Sequence, residues 1–235
     1  MLPMTEYTVY LYPSPNSLKV IIALEEMGLS YHSERIDLAA GEQLSPEFAA
    51  LNPNRKVPVL RAGEQVLFES GAILEYLAEG HGQLLGSSER QRWDMKCWLY
   101  WHASAFGPMA GQAHHFRCFA PEYVPYGVER YTNEMNRLYG VLDERLREEE
   151  WVCGEYSMVD IGIWPWVRHH DWQGQTLEQF PAVARWFEAI AQRPAVIRAV
   201  ERYPIELIAP DKYHKLLNQT AAVLQQPLHQ KDSEL

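Results

Sequence analysis

The sequence predicts an α/β domain over residues 1–82, an all-α domain over residues 88–205 and a peripheral tail over residues 206–235. Three observations carry this division. The first eighty residues alternate short β-branched runs with helical periodicity in the order β-α-β-α-β-β-α. All eight tryptophans lie beyond residue 92, and no strand pattern follows them. The final stretch is polar and Gln-rich apart from an aliphatic segment at 216–224.

Thr8-Val9-Tyr10-Leu11-Tyr12 reads as a strand, broken by Pro13-Ser14-Pro15-Asn16. Leu18, Ile21, Ile22 and Leu24 then repeat at helical spacing until Gly28 stops them. A second strand is expected around 31–37. Ser45-Pro46 opens a short helix, serine as cap and proline in the first turn. Strands at 57–61 and 65–68 flank Ala62-Gly63-Glu64 as a hairpin, and a helix follows from Ser70 to Glu79 with Ile73, Leu74 and Leu77 on one face. Further on, helices are expected over 90–106, 125–147, 182–192 and 195–202. Tyr156-Ser157-Met158-Val159-Asp160-Ile161 contains Ser-x-x-Asp, a capping box that marks another helix start.

Composition narrows the function classes. A hydrophobic content of 47% suits a packed globular chain, and a net charge of −10 disfavours nucleic acid and anionic membrane surfaces as partners. No apolar run approaches the ~20 residues of a spanning helix. The first residues lack both a basic stretch and an apolar core, so a cytoplasmic protein is expected. Cys97, Cys118 and Cys153 are too widely spaced for a Cys-x-x-Cys pair. Thiol chemistry here would therefore need a sulfur that the protein does not own.

Two stretches carry recognisable chemistry. Asn54-Arg55-Lys56-Val57-Pro58-Val59-Leu60 places an X-Pro bond at the entry to a strand. In the cis form, Val57 would keep an outward amide and carbonyl for a peptide to pair with. Glu69-Ser70 stands at a helix start, where a serine cap and free amides suit a carboxylate and Glu69 suits an ammonium. Together they describe a receptor for an α-amino acid head, although either alone is also ordinary turn and cap chemistry.

The order and spacing of these segments resemble the glutathione site of cytosolic glutathione transferases, whose N-terminal domain is thioredoxin-like and whose second domain is helical. Ser14-Pro15-Asn16, the run from Gly107-Pro108-Met109 through Gln112, His114, His115 and Phe116, and Pro125-Tyr126-Gly127-Val128-Glu129-Arg130-Tyr131 resemble the nu class in particular. These are bacterial disulfide-bond oxidoreductases related to the fungal nitrogen-regulator fold. Ser14 and Ser17 depart from the commoner Thr-Pro-Asn-Gly of that class.

The resemblance implies that glutathione is the cosubstrate and that Ser14 and Asn16 flank its sulfur. It assigns Gln43, Lys56, Val57 and Pro58 to the peptide, Glu69 and Ser70 to the γ-glutamyl head, and Gln112, His114, His115 and Phe116 to the substrate pocket or its lid, with simple packing the other reading of the two histidines. Arg130 would reach a glutathione carboxylate across a homodimer interface. A thiolate at the helix start beside Ser14-Pro15-Asn16 would gain about 0.3–1 kcal/mol from the macrodipole. A hydrogen bond would add about 1.5–3 kcal/mol. Adjacent His114 and His115 have no third ligand at metal-site spacing, so no metal is expected. The implied activity is glutathione-dependent disulfide reduction. The alternatives are conventional conjugation or peroxidase chemistry, and a non-catalytic glutathione-binding regulator.

Overall fold

A computed structural model describes residues 6–205; the expected tail at 206–235 lies outside them. A four-stranded mixed sheet, in the order β2-β1-β3-β4, forms the N-terminal part. β1 (Tyr7–Leu11) runs parallel to β2 (Tyr31–Arg35), with Tyr7 opposite Tyr31. It runs antiparallel to β3 (Val59–Ala62), with Tyr10 opposite Val59. β3 and β4 (Gln65–Phe68) make the expected hairpin, turned by Gly63 at φ 61°. The sheet gains its third strand at Val59 rather than Val57, because Pro58 brings no amide to the ladder.

α1 (Pro15–Glu26) begins three residues before its apolar repeat. Ser14 caps it by accepting the Ser17 N–H, and Pro15 occupies the first turn. α2 (Pro46–Leu51) is capped by Ser45 through the Phe48 N–H, as its sequence predicts. α3 (Ser70–His81) departs from expectation at its start. Its N-cap is Glu69, whose side chain makes no capping bond, and Ser70 is already helical.

The helical part begins with α4 (Glu89–Trp101), which continues through a π-helical segment, His102–Phe106, into α5 (Gly107–His114) and a second π segment, His115–Phe119. The expected uninterrupted helix over 90–106 is thus divided. The Gly107 N–H bonds the His102 carbonyl five residues back, and Pro108 has no amide with which to restore the α pattern. A Cβ on Gly107 would stand 3.3 Å from that carbonyl.

α6 (Pro125–Leu146) packs on α5, and Gly127 admits the Phe116 ring so closely that a Cβ would lie 2.5 Å from it. Phe116 also stacks on Tyr131, at 5.3 Å between centroids.

α7 (Met158–Val167) is buried along its length except at Trp166. Its capping box is present as the sequence predicts, with Asp160 accepting from the Ser157 backbone and hydroxyl. α8 (Pro181–Ala191) and α9 (Pro194–Arg202) complete the described chain. α7 and α9 both pack on α1. Arg193 clamps Glu26 through two bonds of 2.6 and 2.9 Å and lies over the Tyr156 ring. One hydrophobic cluster runs from Val9 and Ile21 through Leu74 and Leu99 to Tyr139 and Trp186. The two parts therefore share a core, and the cleft between them has firm walls.

Candidate functional site

A cavity of about 500 Å³ opens between the sheet and the helices. One wall carries Asn52, Asn54, Lys56, Val57 and Pro58, and the Val57–Pro58 bond is cis. The floor carries Asn16 and Lys19 from α1 with Glu69, Ser70 and Gly71 at the start of α3. The far side carries His102, Gly107, Pro108, Gly111 and Gln112 with Trp166 of α7.

The two asparagines shape the approach to Val57. The buried Asn52 donates from Nδ2 to the Lys56 carbonyl at 2.7 Å, and its Oδ1 accepts the Asn54 N–H at 2.9 Å. That pair holds the 52–57 loop in a fixed bend against the cavity.

Glu69 has φ 69° and ψ 113°, a backbone conformation that L-residues rarely adopt. Such a residue costs on the order of 1–3 kcal/mol and persists where its surroundings hold it, commonly at a ligand clamp. The first amides of α3 receive no side-chain cap, so the positive end of its dipole faces the cavity floor. Glu69 adds a carboxylate beside those amides. An acid and an anion receptor stand side by side, the arrangement an amino-acid zwitterion requires.

Asn16 is positioned from the other half of the molecule. Trp166 Nε1 donates to Asn16 Oδ1 at 3.0 Å. An indole N–H can only donate, so the carboxamide oxygen must face it and the NH₂ group is left to donate elsewhere. Ser14 is differently placed. Its hydroxyl donates to Ser17 Oγ at 3.1 Å, accepts the Ser17 amide, and borders a smaller hollow with Leu18, Ile21 and Tyr203.

Other residues expected from the sequence are dispersed. Gln112 lines the cavity. His114 is buried behind Trp166, its ring 5.5 Å from that indole, and its Nε2 accepts from Gln173 Nε2 at 3.2 Å. His115 and Phe116 pack edge to face, and Phe116 continues onto Tyr131 and Gly127. The structure therefore places His114, His115 and Phe116 in helix packing rather than on the cavity wall. The π segment before α5 sets which face of that helix meets the cavity, and Gln112 and His114, two positions apart on it, point to opposite sides.

Gln43 is buried with its Oε1 unpaired and does not border this cavity. Arg130 is exposed on α6. Lys19, His102, Asn52 and Trp166 escaped the sequence reading. Of these only Lys19 left a signal, as a charge inside the apolar run Leu18-Lys19-Val20-Ile21-Ile22.

Burial pushes the His114 imidazole down to about 4 and that of its neighbour His169 down to about 3. Both lie below their unfolded value near 6.5, so the unfolded chain takes up protons first as the solution is acidified. The stability this confers is complete above about pH 6.5 and declines through about 4, and further to about 3 for His169. His114 accounts for about 3 kcal/mol of that decline. Urea unfolding between pH 7 and 4 should show a falling midpoint, and His114→Phe should flatten the fall.

The three cysteines stand away from the cavity lining. Cys97 is exposed, Cys118 is half-buried with its thiol pushed up by burial, and Cys153 is buried with its thiol pushed up to about 12. Among the described residues no group of three or more His, Cys, Asp or Glu side chains could hold a metal ion. No described helix is long and apolar enough to cross a membrane.

The family model for the glutathione S-transferase N-terminal domain matches residues 5–79, and that for the C-terminal domain matches residues 106–194. The disulfide-bond oxidoreductase YfcG of Escherichia coli is 44% identical over 200 residues, spanning 82% of this chain and 93% of that protein. A glutathione transferase from Pseudomonas putida, crystallised with one glutathione disulfide per subunit, superposes with a TM-score of 0.78 at 40% identity, over 83% of this chain and 91% of that one. A family member from Pseudomonas fluorescens with two glutathione bound also gives 0.78 at 40% identity, over 83% of this chain and 92% of its own.

Proposed function

The chain belongs to the glutathione S-transferase family, and we propose that it is a glutathione-dependent disulfide-bond reductase working with the thiol of bound glutathione. The observation that carries this reading is the cavity itself. It joins a peptide-pairing wall at Val57–Pro58, an amino-acid receptor at Glu69-Ser70 and an oriented amide at Asn16, with no protein thiol among its lining residues.

The tripeptide would lie with its γ-glutamyl head on Glu69 and the α3 amides and its cysteinyl part against Val57. Its sulfur would then face Asn16 at the start of α1. There the helix dipole and the Asn16 amide favour the thiolate over the thiol. That thiolate attacks one sulfur of a disulfide, a new S–S bond forms, and the other sulfur leaves as a thiolate. The chain contributes binding, orientation and charge stabilisation. Lys56, exposed on the loop wall, is within the same lining and suits the glycine carboxylate. Gln43 is assigned to the peptide by resemblance and would have to leave its buried position to serve.

The reading extends to nu-class membership, a cytoplasmic setting and a homodimer in which Arg130 reaches the partner's glutathione. Support for pairing comes from large apolar side chains left exposed, namely Val66 and Phe68 on the edge strand β4 and Trp93 and Tyr100 on α4. An exposed apolar edge strand is what a second copy would cover.

Steady-state rates with a glutathione mixed disulfide and with an aryl halide test the activity. The disulfide should be turned over much faster; the reverse order makes the chain a conjugating transferase. A variant with Cys97, Cys118 and Cys153 all replaced by alanine should keep its disulfide reductase rate within about threefold, since no cysteine is near the sulfur position. Loss of activity in that variant while folded, by circular dichroism, would show that a protein thiol takes part.

A further inference from the structure

Beneath Ser70 lies a buried charge that the reading above does not use. Lys19 is 4% exposed, yet its Nζ reaches Ser70 Oγ at 3.3 Å and His102 Nε2 at 2.7 Å. Both Lys19 and His102 border the cavity. His102 is 3% exposed and its Nδ1 has no partner. A lysine this deep is uncommon unless something pairs with it. The groups around it are Glu69 and Ser70 at the start of α3, His102 from the helix after α4, and Lys56 on the opposite wall; α7 faces the cavity with Gly162 and Trp166, neither of which titrates.

We propose that Lys19, backed by His102, supplies the positive charge of the γ-glutamyl subsite and acts through Ser70 on the ligand's α-carboxylate. The proposal rests on the assignment of that subsite to glutathione. An amino-acid head carries one charge of each sign. Glu69 answers the ammonium, and the α3 amides offer only partial charge to the carboxylate. Lys19 completes the match. Its ammonium donates to Ser70 Oγ, which leaves the hydroxyl proton free to donate outward, and its second N–H rests on His102 Nε2. Lys19 is thus a positioning residue, one that makes the site select an α-carboxylate.

Burial draws the Lys19 amine down to about 7, against which Glu69 pulls upward. His102 is held well below its ordinary value by burial and by Lys19 beside it, so it accepts rather than carries a second charge. A bound carboxylate favours the ammonium and raises the Lys19 pKa. Affinity should therefore be full below about pH 7 and fall as pH rises through that value, with a proton taken up on binding.

The test is titration calorimetry of the full chain at about pH 7.5 in two buffers of different ionisation enthalpy. The ligand is S-methylglutathione, which has no thiol to ionise. The second ligand is its decarboxylated analogue, with 4-aminobutyryl in place of γ-glutamyl. The wild type should take up roughly half a proton or more with the first and clearly less with the second. Lys19→Met should lose about tenfold to a hundredfold in affinity for S-methylglutathione, the range of a hydrogen bond to a charged group, while binding the analogue within about threefold of wild type.

Equal proton uptake for the two ligands in the wild type overturns the proposal without recourse to any variant. So does a folded Lys19→Met protein that binds S-methylglutathione as tightly as wild type. Absence of any S-methylglutathione binding by the wild type overturns the underlying subsite assignment and this inference with it. Retained binding with no proton uptake overturns this inference alone.

Discussion

Asn16→Ala should lower kcat/KM for disulfide reduction by about 10²–10³, the usual cost of removing an oriented donor from a developing or resident anion. The expectation follows from how Asn16 is held. Ser14 spends its hydroxyl on Ser17, whereas Asn16 borders the main cavity with its oxygen taken by Trp166. The NH₂ group is therefore presented without the cost of orienting it. Trp166→Phe keeps most of the ring and removes the N–H. It should cost about tenfold, because the carboxamide becomes free to turn its oxygen toward the thiolate. Steady-state kinetics, read with the near-ultraviolet absorbance of the bound thiolate, separate the two effects. If Asn16→Ala stays within threefold of wild type while Ser14→Ala does not, the donor is the serine.

The largest effect on stability should come from Asp160→Ala. Asp160 is fully buried and accepts four hydrogen bonds: Val152 N–H at 3.0 Å, Ser157 N–H at 2.9 Å, Ser157 Oγ at 3.0 Å and Trp186 Nε1 at 2.8 Å. Alanine would leave these donors unpaired in a dry interior, each costing about 1–3 kcal/mol before relaxation. A loss of about 4 kcal/mol or more is expected, enough to unfold many domains of this size. Asp160→Asn keeps an acceptor and should lose about half as much. Urea unfolding followed by tryptophan fluorescence measures both. A loss under about 1 kcal/mol for the alanine variant would mean that water replaces the carboxylate. Because α7 also carries Gly162 and Trp166 to the cavity, the same substitution should weaken ligand binding.

Local signals account for what was legible in the chain. Gly28, Ser45-Pro46 and Ser157-x-x-Asp160 act through bonds within a few residues, and each element they predict is present where expected. The Glu69-Ser70 pair and Val57-Pro58 were visible for the same reason and do meet at one cavity. The serine was misplaced by one position, because the N-cap is set by the strained backbone of Glu69 and not by residue preference. The two π segments and α5 between them left no such signal. A π turn changes the angular position of every later side chain without altering composition, so Gln112 reaches the cavity while His114 goes to the core.

By itself the sequence determined the order of the strands, most of the helices, the caps at Ser45 and Ser157 and the family to which the chain belongs. All of these depend on short-range patterns or on residue identity. Which side chains share the cavity was decided only by tertiary structure. Trp166 orients Asn16 across 150 positions, and Lys19 meets His102 across 83. No periodicity records such pairs, because the energy that joins them comes from packing α1 against α7 and α7 against the segment that follows α4.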